Sequence, residues 1–287
     1  MSALAAEPPP ESPFDPGTGS DPGPDLGTVG DVVVAGHRLH VCHRPGAPGR
    51  RPLVLVNGIG ASLEFLDPLV AALDPQRPVV RFDVPGIGGS PAPWAPLPMC
   101  GLAFLLAGLL DELGYARADV LGLSWGGGIA QQFALQHPDR TGRLALVSTG
   151  MGAVMVPARL SVLAKMLTPR RYNDRNYRHD AGAEIYVGES QAAVDAVFSR
   201  ARPVAPRGYL FQLLALMSWT SFPVLAFIAA PTLVLNGRLD PVIPVVNAHI
   251  MGALLPQGTV HLHEGGHVGI LTRPYDLGPV LEDFLDN

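Results

Sequence analysis

The sequence predicts an α/β fold: a mostly parallel sheet of eight strands with helices on both faces and a helical segment inserted after the sixth strand. Three observations carry this. Apolar runs that read as buried strands recur from residue 31 onward, each ending in small or polar residues. Helical patterns separate most of them, as in parallel sheets whose crossovers cover both faces. Between residues 150 and 222 the alternation stops, leaving only helical and irregular stretches rich in apolar and Arg residues.

Taken in order, residues 1–30 repeat Pro, Gly, Asp and Glu with almost no large apolar side chains. Such a stretch cannot bury enough surface to offset its ordering entropy, so a disordered acidic tail is expected. "DVVVAGHRLHVCHR" reads as two strands turning at Ala35-Gly36, and "PLVLVNG" and "PVVRFDVPG" as buried strands. "ADVLGLS", "RLALVST", "PTLVLNG" and "GTVHLHEGG" continue the series. Helices are expected near 62–73, 98–114, 126–137, 242–254 and 274–285. The core thus spans 31–149 and 223–287, and residues 150–222 form a helical cap.

Composition narrows the function classes. A chain of 287 residues with 47% hydrophobic content can bury roughly three quarters of its unfolded surface in one core. A net charge of −5 with 16% charged residues leaves no basic footprint for nucleic acid. Cys42 and Cys100, the only cysteines, are too few for a disulfide framework and too far apart for a metal knuckle. No secretory signal pattern precedes Arg38, the first basic residue, and the apolar stretches 101–110 and 222–235 fall short of a bilayer span. The expectation is a soluble, cytoplasmic protein with no transmembrane segment; the sequence is silent on its oligomeric state.

The chemistry concentrates at "VLGLSWGGGIAQQFA", residues 120–134. Gly122-Leu123-Ser124-Trp125-Gly126 matches G-x-S-x-G, the sharp strand-to-helix turn that presents a nucleophilic serine, and the required strand and helix flank it. A side chain two residues before or after Ser124 would collide with the neighbouring strand or helix, which accounts for Gly122 and Gly126. A serine needs a base, and the base needs an orienting group; in this arrangement they follow as acid, then His. Asp240 is the only carboxylate in the loop after "PTLVLNG", and His267 follows "TVHLHEGG". Asp240 could also be the N-cap of a helix starting near Pro241, both roles being compatible only if its side chain turns inward. His261 and His263, alternating on one strand, are read as solvated rather than as metal ligands, and no metal or cofactor is implied. Negative charge developing on a carbonyl oxygen needs N–H donors, assigned to the backbone amides of Trp125 and Ile59. Gly58 and Gly60 of "NGIGAS" let that loop fold over the site; neither "NGIGAS" nor "PGIGGS" continues as a phosphate loop.

The stretches "NGIGAS", "RFDVPGIGGS", "LSWGGGIAQQFA", "GAVMVP", "TPRRY" and "PTLVLNG" give the chain from about Asp31 to Leu285 a further meaning. It resembles the alpha/beta-hydrolase superfamily and, within it, the intracellular, medium-chain-length poly(3-hydroxyalkanoate) depolymerases. The resemblance implies an alpha/beta-hydrolase fold and serine hydrolysis of a hydrophobic polyester of 3-hydroxy acids, with Ser124, Asp240 and His267 matching the triad. It also implies association with polyester granules. Asn57, Trp219 and Val268 are expected to contact substrate. "VPARLSVLAKML" and "GYLFQLLALMSWTSF" read either as the lining of an apolar cleft or as ordinary packing. The run "RRYNDRNYR" at 170–178 reads as a granule-facing patch or, more simply, a solvated face. A general carboxylesterase, a cofactor-free perhydrolase and a non-catalytic granule-associated protein are the competing readings. Dehalogenase and epoxide hydrolase chemistry is disfavoured, because it needs a carboxylate at the elbow.

Overall fold

The strands bury side chains on both faces at the centre of the sheet and mainly on one face at the edge formed by Thr28–Val34. In the computed structural model, which describes residues 24–287, they are β1 (Thr28–Val34), β2 (His37–Arg44), β3 (Leu53–Val56), β4 (Val79–Phe82), β5 (Ala118–Leu123), β6 (Thr141–Val147), β7 (Thr232–Gly237) and β8 (Gly258–His263). They form one sheet in the order β1-β2-β4-β3-β5-β6-β7-β8; β1 and β2 are antiparallel to their neighbours, and all other pairs are parallel. In β3, Val54 and Val56 join one buried cluster and Leu53 and Leu55 the other, so both faces are covered. That is why the run carries no polar alternation. The β1–β2 hairpin turns at Ala35 and Gly36, both with positive φ, as a tight turn of matching twist requires.

The helices are α1 (Asp67–Ala72), α2 (Met99–Glu112), α3 (Gly126–Gln136), α4 (Leu160–Met166), α5 (Arg170–Asn173), α6 (Arg175–Ile185), α7 (Gln191–Phe198), α8 (Pro206–Met217), α9 (Val246–Leu254), α10 (Gly269–Thr272) and α11 (Pro274–Asp286). Leu106 of α2, Phe133 of α3 and Met251 of α9 pack into one cluster; Leu69 of α1 and Leu281 of α11 pack into the other. Helices α4 to α8 lie between β6 and β7, over the carboxyl ends of the parallel strands, where open sheets of this kind place their working groups.

Two boundaries differ from expectation. The acidic tail lies outside the described residues up to position 23, but Thr28–Gly30 belong to β1, paired with Val41–His43 of β2. The helix expected from 242 begins at Val246, because Asp240 folds the preceding residues into a turn. Among the described residues, no helix is long and apolar enough to cross a membrane.

Candidate active site

Ser124 sits between β5 and α3 with φ of 52°, a left-handed conformation that an L-residue adopts only when its surroundings enforce it. The enforcement is visible. Ser124 N–H donates to Val147 O at 2.8 Å, and Ser124 O accepts from Gly127 N and from Thr149 Oγ1. A Cβ added to Gly122 would lie 2.5 Å from Gly126 O, and one added to Gly126 would lie 2.3 Å from Val56 O. The strand–turn–helix therefore closes only with glycine at both positions.

Two further loops at the same sheet edge, after β7 and β8, deliver the partners. Ser124 Oγ lies 3.0 Å from His267 Nε2, and His267 Nδ1 lies 2.9 Å from Asp240 Oδ2. The second carboxylate oxygen, Asp240 Oδ1, accepts from Val242 N and Ile243 N, each at 2.9 Å. The inward turn thus lets one side chain cap its own loop and face the imidazole at once. With Asp240 able only to accept there, the ring proton belongs on Nδ1, leaving Nε2 to accept from the serine hydroxyl. Both Asp240 and His267 are buried, while Ser124 keeps access to the chamber above it. A hydroxyl, an imidazole and a carboxylate in this row can carry out nucleophilic acyl transfer.

The loop after β3 reaches the serine: a Cβ added to Gly58 would be 3.5 Å from Ser124 Cβ. Among the described residues no acceptor occupies the backbone N–H of Ile59 or of Trp125, so both stay available to an incoming oxygen. Two cavities meet at Ser124. One, about 530 Å³, is walled by apolar groups including Met155, Leu163, Leu213, Leu216 and Trp219. The other is about 30 Å³ and includes His267, Val268, Arg171 and Tyr172 in its wall.

Of the three residues expected to contact substrate, Trp219 and Val268 line these cavities. Asn57 does not: its amide donates to Ser62 O at 2.6 Å and its carbonyl oxygen faces Gly58 N, so it braces the loop after β3 from within. His263, read as solvated, is buried against Gly265 and Gly269, and among the described residues neither ring nitrogen has a hydrogen-bond partner; burial pushes its pKa down. The Arg-rich run is likewise not a uniformly solvated face. Arg170 and Arg175 are exposed, but Arg171 and Arg178 are buried, because the break at Asp174 between α5 and α6 turns them inward.

Sequence reasoning missed the residues by which the inserted helices brace the site. Arg171 Nη2 and the Tyr172 hydroxyl donate to Ile59 O at 3.1 and 2.8 Å, and Gly60 N donates to Gln212 Oε1 at 2.7 Å. Glu189 accepts from Gly266 N at 2.7 Å and from the Thr272 hydroxyl, on either side of His267. A lone Gln inside the apolar helix "YLFQLLALM" signals a buried hydrogen bond. No local pattern marks Arg171 or Glu189.

Comparison with known proteins gives consistent results. A family model described as alpha/beta hydrolase fold matches residues 51–274. The chain is 42% identical over 257 residues to a poly(3-hydroxyalkanoate) depolymerase of Ectopseudomonas oleovorans, covering 88% of this chain and 91% of that one. Among solved structures, the enol-lactonase of Burkholderia xenovorans LB400 superimposes with a TM-score of 0.78 at 24% identity, over 90% of this chain and all of that one. An esterase of Exiguobacterium antarcticum gives 0.76 at 19% identity, over 90% of this chain and 99% of that one. At those identities the two structures speak for the fold alone.

Proposed function

The chain belongs to the alpha/beta hydrolase fold family, and from that premise we propose that it cleaves the ester bonds of a poly(3-hydroxyalkanoate) or its oligomers through an acyl-enzyme on Ser124. The observation that carries this reading is the unbroken row from Asp240 through His267 to Ser124, ending at the floor of a large apolar chamber.

Ser124 Oγ attacks the ester carbonyl as His267 Nε2 takes its proton, and Asp240 holds the imidazole in the reactive tautomer. The oxyanion forms against the N–H groups of Ile59 and Trp125, preset donors that need no reorganisation during the reaction. The tetrahedral intermediate then collapses, breaking its bond to the alkoxy oxygen of the next monomer as the imidazolium protonates that oxygen to a hydroxyl. Water, deprotonated by the same nitrogen, attacks the acyl-enzyme and frees the carboxylic acid. The apolar chamber suits the alkyl side chains of the acyl unit, whose burial contributes about 0.8 kcal/mol per methylene.

The rim of that chamber suits contact with a polymer surface inside the cell. Leu160, Leu167 and Met217 line it, yet are 84%, 62% and 70% exposed. Apolar groups held in water beside a substrate entrance favour an apolar phase, so we place granule contact here and not at the Arg-rich run.

The test uses the purified chain, Ser124→Ala, a polyhydroxyoctanoate latex and p-nitrophenyl octanoate. The parent should clear the latex and hydrolyse the soluble ester, and the variant should lose both by about 10⁴-fold or more. Equal rates in parent and variant refute the nucleophile. Soluble-ester turnover without clearing makes the chain a general carboxylesterase, and failure of Ser124 to react with a fluorophosphonate probe makes it a non-catalytic protein.

A further inference from the structure

We infer that Arg171, Tyr172 and Gln212 are positioning residues of the oxyanion hole, so that the hole is completed by the inserted helices and not by the sheet alone. The inference rests on the ester-hydrolase reading and assigns it three further residues.

Ile59 C=O and Gly60 N–H are the two ends of one peptide unit. The carbonyl end accepts from Arg171 Nη2 and the Tyr172 hydroxyl, and the amide end donates to Gln212 Oε1. All three side chains come from the insert, two from α5 and one from α8. A flip of this unit would exchange its donor and acceptor and lose all three bonds at once. Its plane is therefore fixed, and with it the Ile59 backbone whose N–H faces the reacting carbonyl. Gly60 has φ of 79°, and a Cβ there would lie 2.8 Å from the Tyr172 ring and 2.9 Å from the Tyr209 ring, so the insert also closes on the loop by contact.

The arginine is an unusual choice for a purely structural strut. Arg171 is buried, and among the described residues it forms no ion pair. Its charge is held by Ile59 O, by the Tyr209 hydroxyl at 2.8 Å and by the faces of Tyr172 and Tyr209. A buried cation without a counter-ion is costly to keep. It lines the same small cavity as Ser124 and His267, where negative charge appears only as the tetrahedral intermediate forms. Tyr209 passes the restraint onward by donating to Met166 O at 2.5 Å, and Gln212 O accepts from the Trp125 indole at 2.8 Å, tying the same helix to the second donor's residue.

The experiment compares Arg171→Met, Arg171→Lys, Tyr172→Phe and Gln212→Met with the parent on p-nitrophenyl octanoate. Two competitive inhibitors of equal chain length accompany it: a trifluoromethyl ketone, which forms a tetrahedral oxyanion on Ser124, and an unreactive alkyl amide, which does not. Arg171→Met should lower kcat by about 100-fold, the scale expected when a group at the reacting centre is misplaced, with KM within threefold. Its affinity for the ketone should fall by the same factor while its affinity for the amide holds. Arg171→Lys should recover part of the loss, and Tyr172→Phe and Gln212→Met should each cost about tenfold in the same pattern. Parent-like kcat in folded Tyr172→Phe and Gln212→Met overturns the inference, and those two variants decide it if Arg171→Met does not fold. A rise in KM at constant kcat, or equal weakening of ketone and amide, also overturns it, since the side chains then hold substrate or general structure. These outcomes leave the nucleophile untouched: Ser124→Ala tests that separately.

Discussion

The carboxyl edge of the sheet and the inserted helices both send side chains toward Ser124, and they do so by different means. At the sheet edge, position is set by the chain's own local geometry: a left-handed serine, two glycines that admit no Cβ, and an aspartate that caps its own turn. In the insert, position is set by contacts between residues more than a hundred apart in sequence, as between Arg171 and Ile59. The sheet edge holds the reacting atoms, whereas the insert holds the loops that hold them. Loss at the first should remove the reaction, and loss at the second should detune it.

The largest effect separating the two regions is expected from Asp240→Asn. It keeps the shape and places an amide where Nδ1–H must donate, favouring the wrong imidazole tautomer. We expect kcat to fall about 10⁴-fold with only a small change in melting temperature. A loss below about 100-fold would mean that the carboxylate is chiefly a loop cap. An intermediate effect is expected from the insert. Glu189→Ala removes the acceptor of both Gly266 N–H and the Thr272 hydroxyl, so the His267 loop should shift and kcat should drop about tenfold. A 10⁴-fold loss there would erase the distinction between the regions.

The effect expected to be smallest on kcat concerns stability instead. Asp83, at the end of β4, accepts from Leu63 N and Gly89 N at 2.7 Å each, and its burial pushes its pKa up to about 6. The folded chain therefore holds this proton more tightly than the unfolded chain, whose carboxyl titrates near 3.8. Asp83's favourable contribution is complete below about pH 4 and is lost as pH rises through 6, a swing of about 2–3 kcal/mol. Denaturation of parent and Asp83→Asn between pH 4 and 7 should show this slope in the parent alone; parallel curves would refute it.

The same contrast explains what was legible beforehand. Fold class, strand order along the chain, the elbow and its two partners follow from local patterns: buried apolar runs, glycines at fixed offsets from Ser124, and the only acid in the loop that carries Asp240. The amides of Ile59 and Trp125 could be singled out because they neighbour those landmarks. Arg171 was not, since nothing in "RRYNDRNYR" distinguishes it from exposed Arg170 until the chain breaks at Asp174 and the helices dock. His263 misled for a related reason. An alternating His-x-His looks solvated on a strand face, but here it ends β8 beneath the His267 loop, where glycines at 265 and 269 make room for its ring. Asn57 turns its amide to Ser62 O and Gly58 N; proximity in sequence says nothing about which way an amide points.

The backbone angle at Ser124 has a consequence for anyone breeding a hardier enzyme from this scaffold. Glycine is the residue most at ease there, and it carries no hydroxyl; keeping the oxygen forgoes about 1–2 kcal/mol of thermodynamic comfort at a single Cα. Selection for heat resistance alone would thus drift toward a durable, silent protein, and ruggedness has to be sought away from this one position.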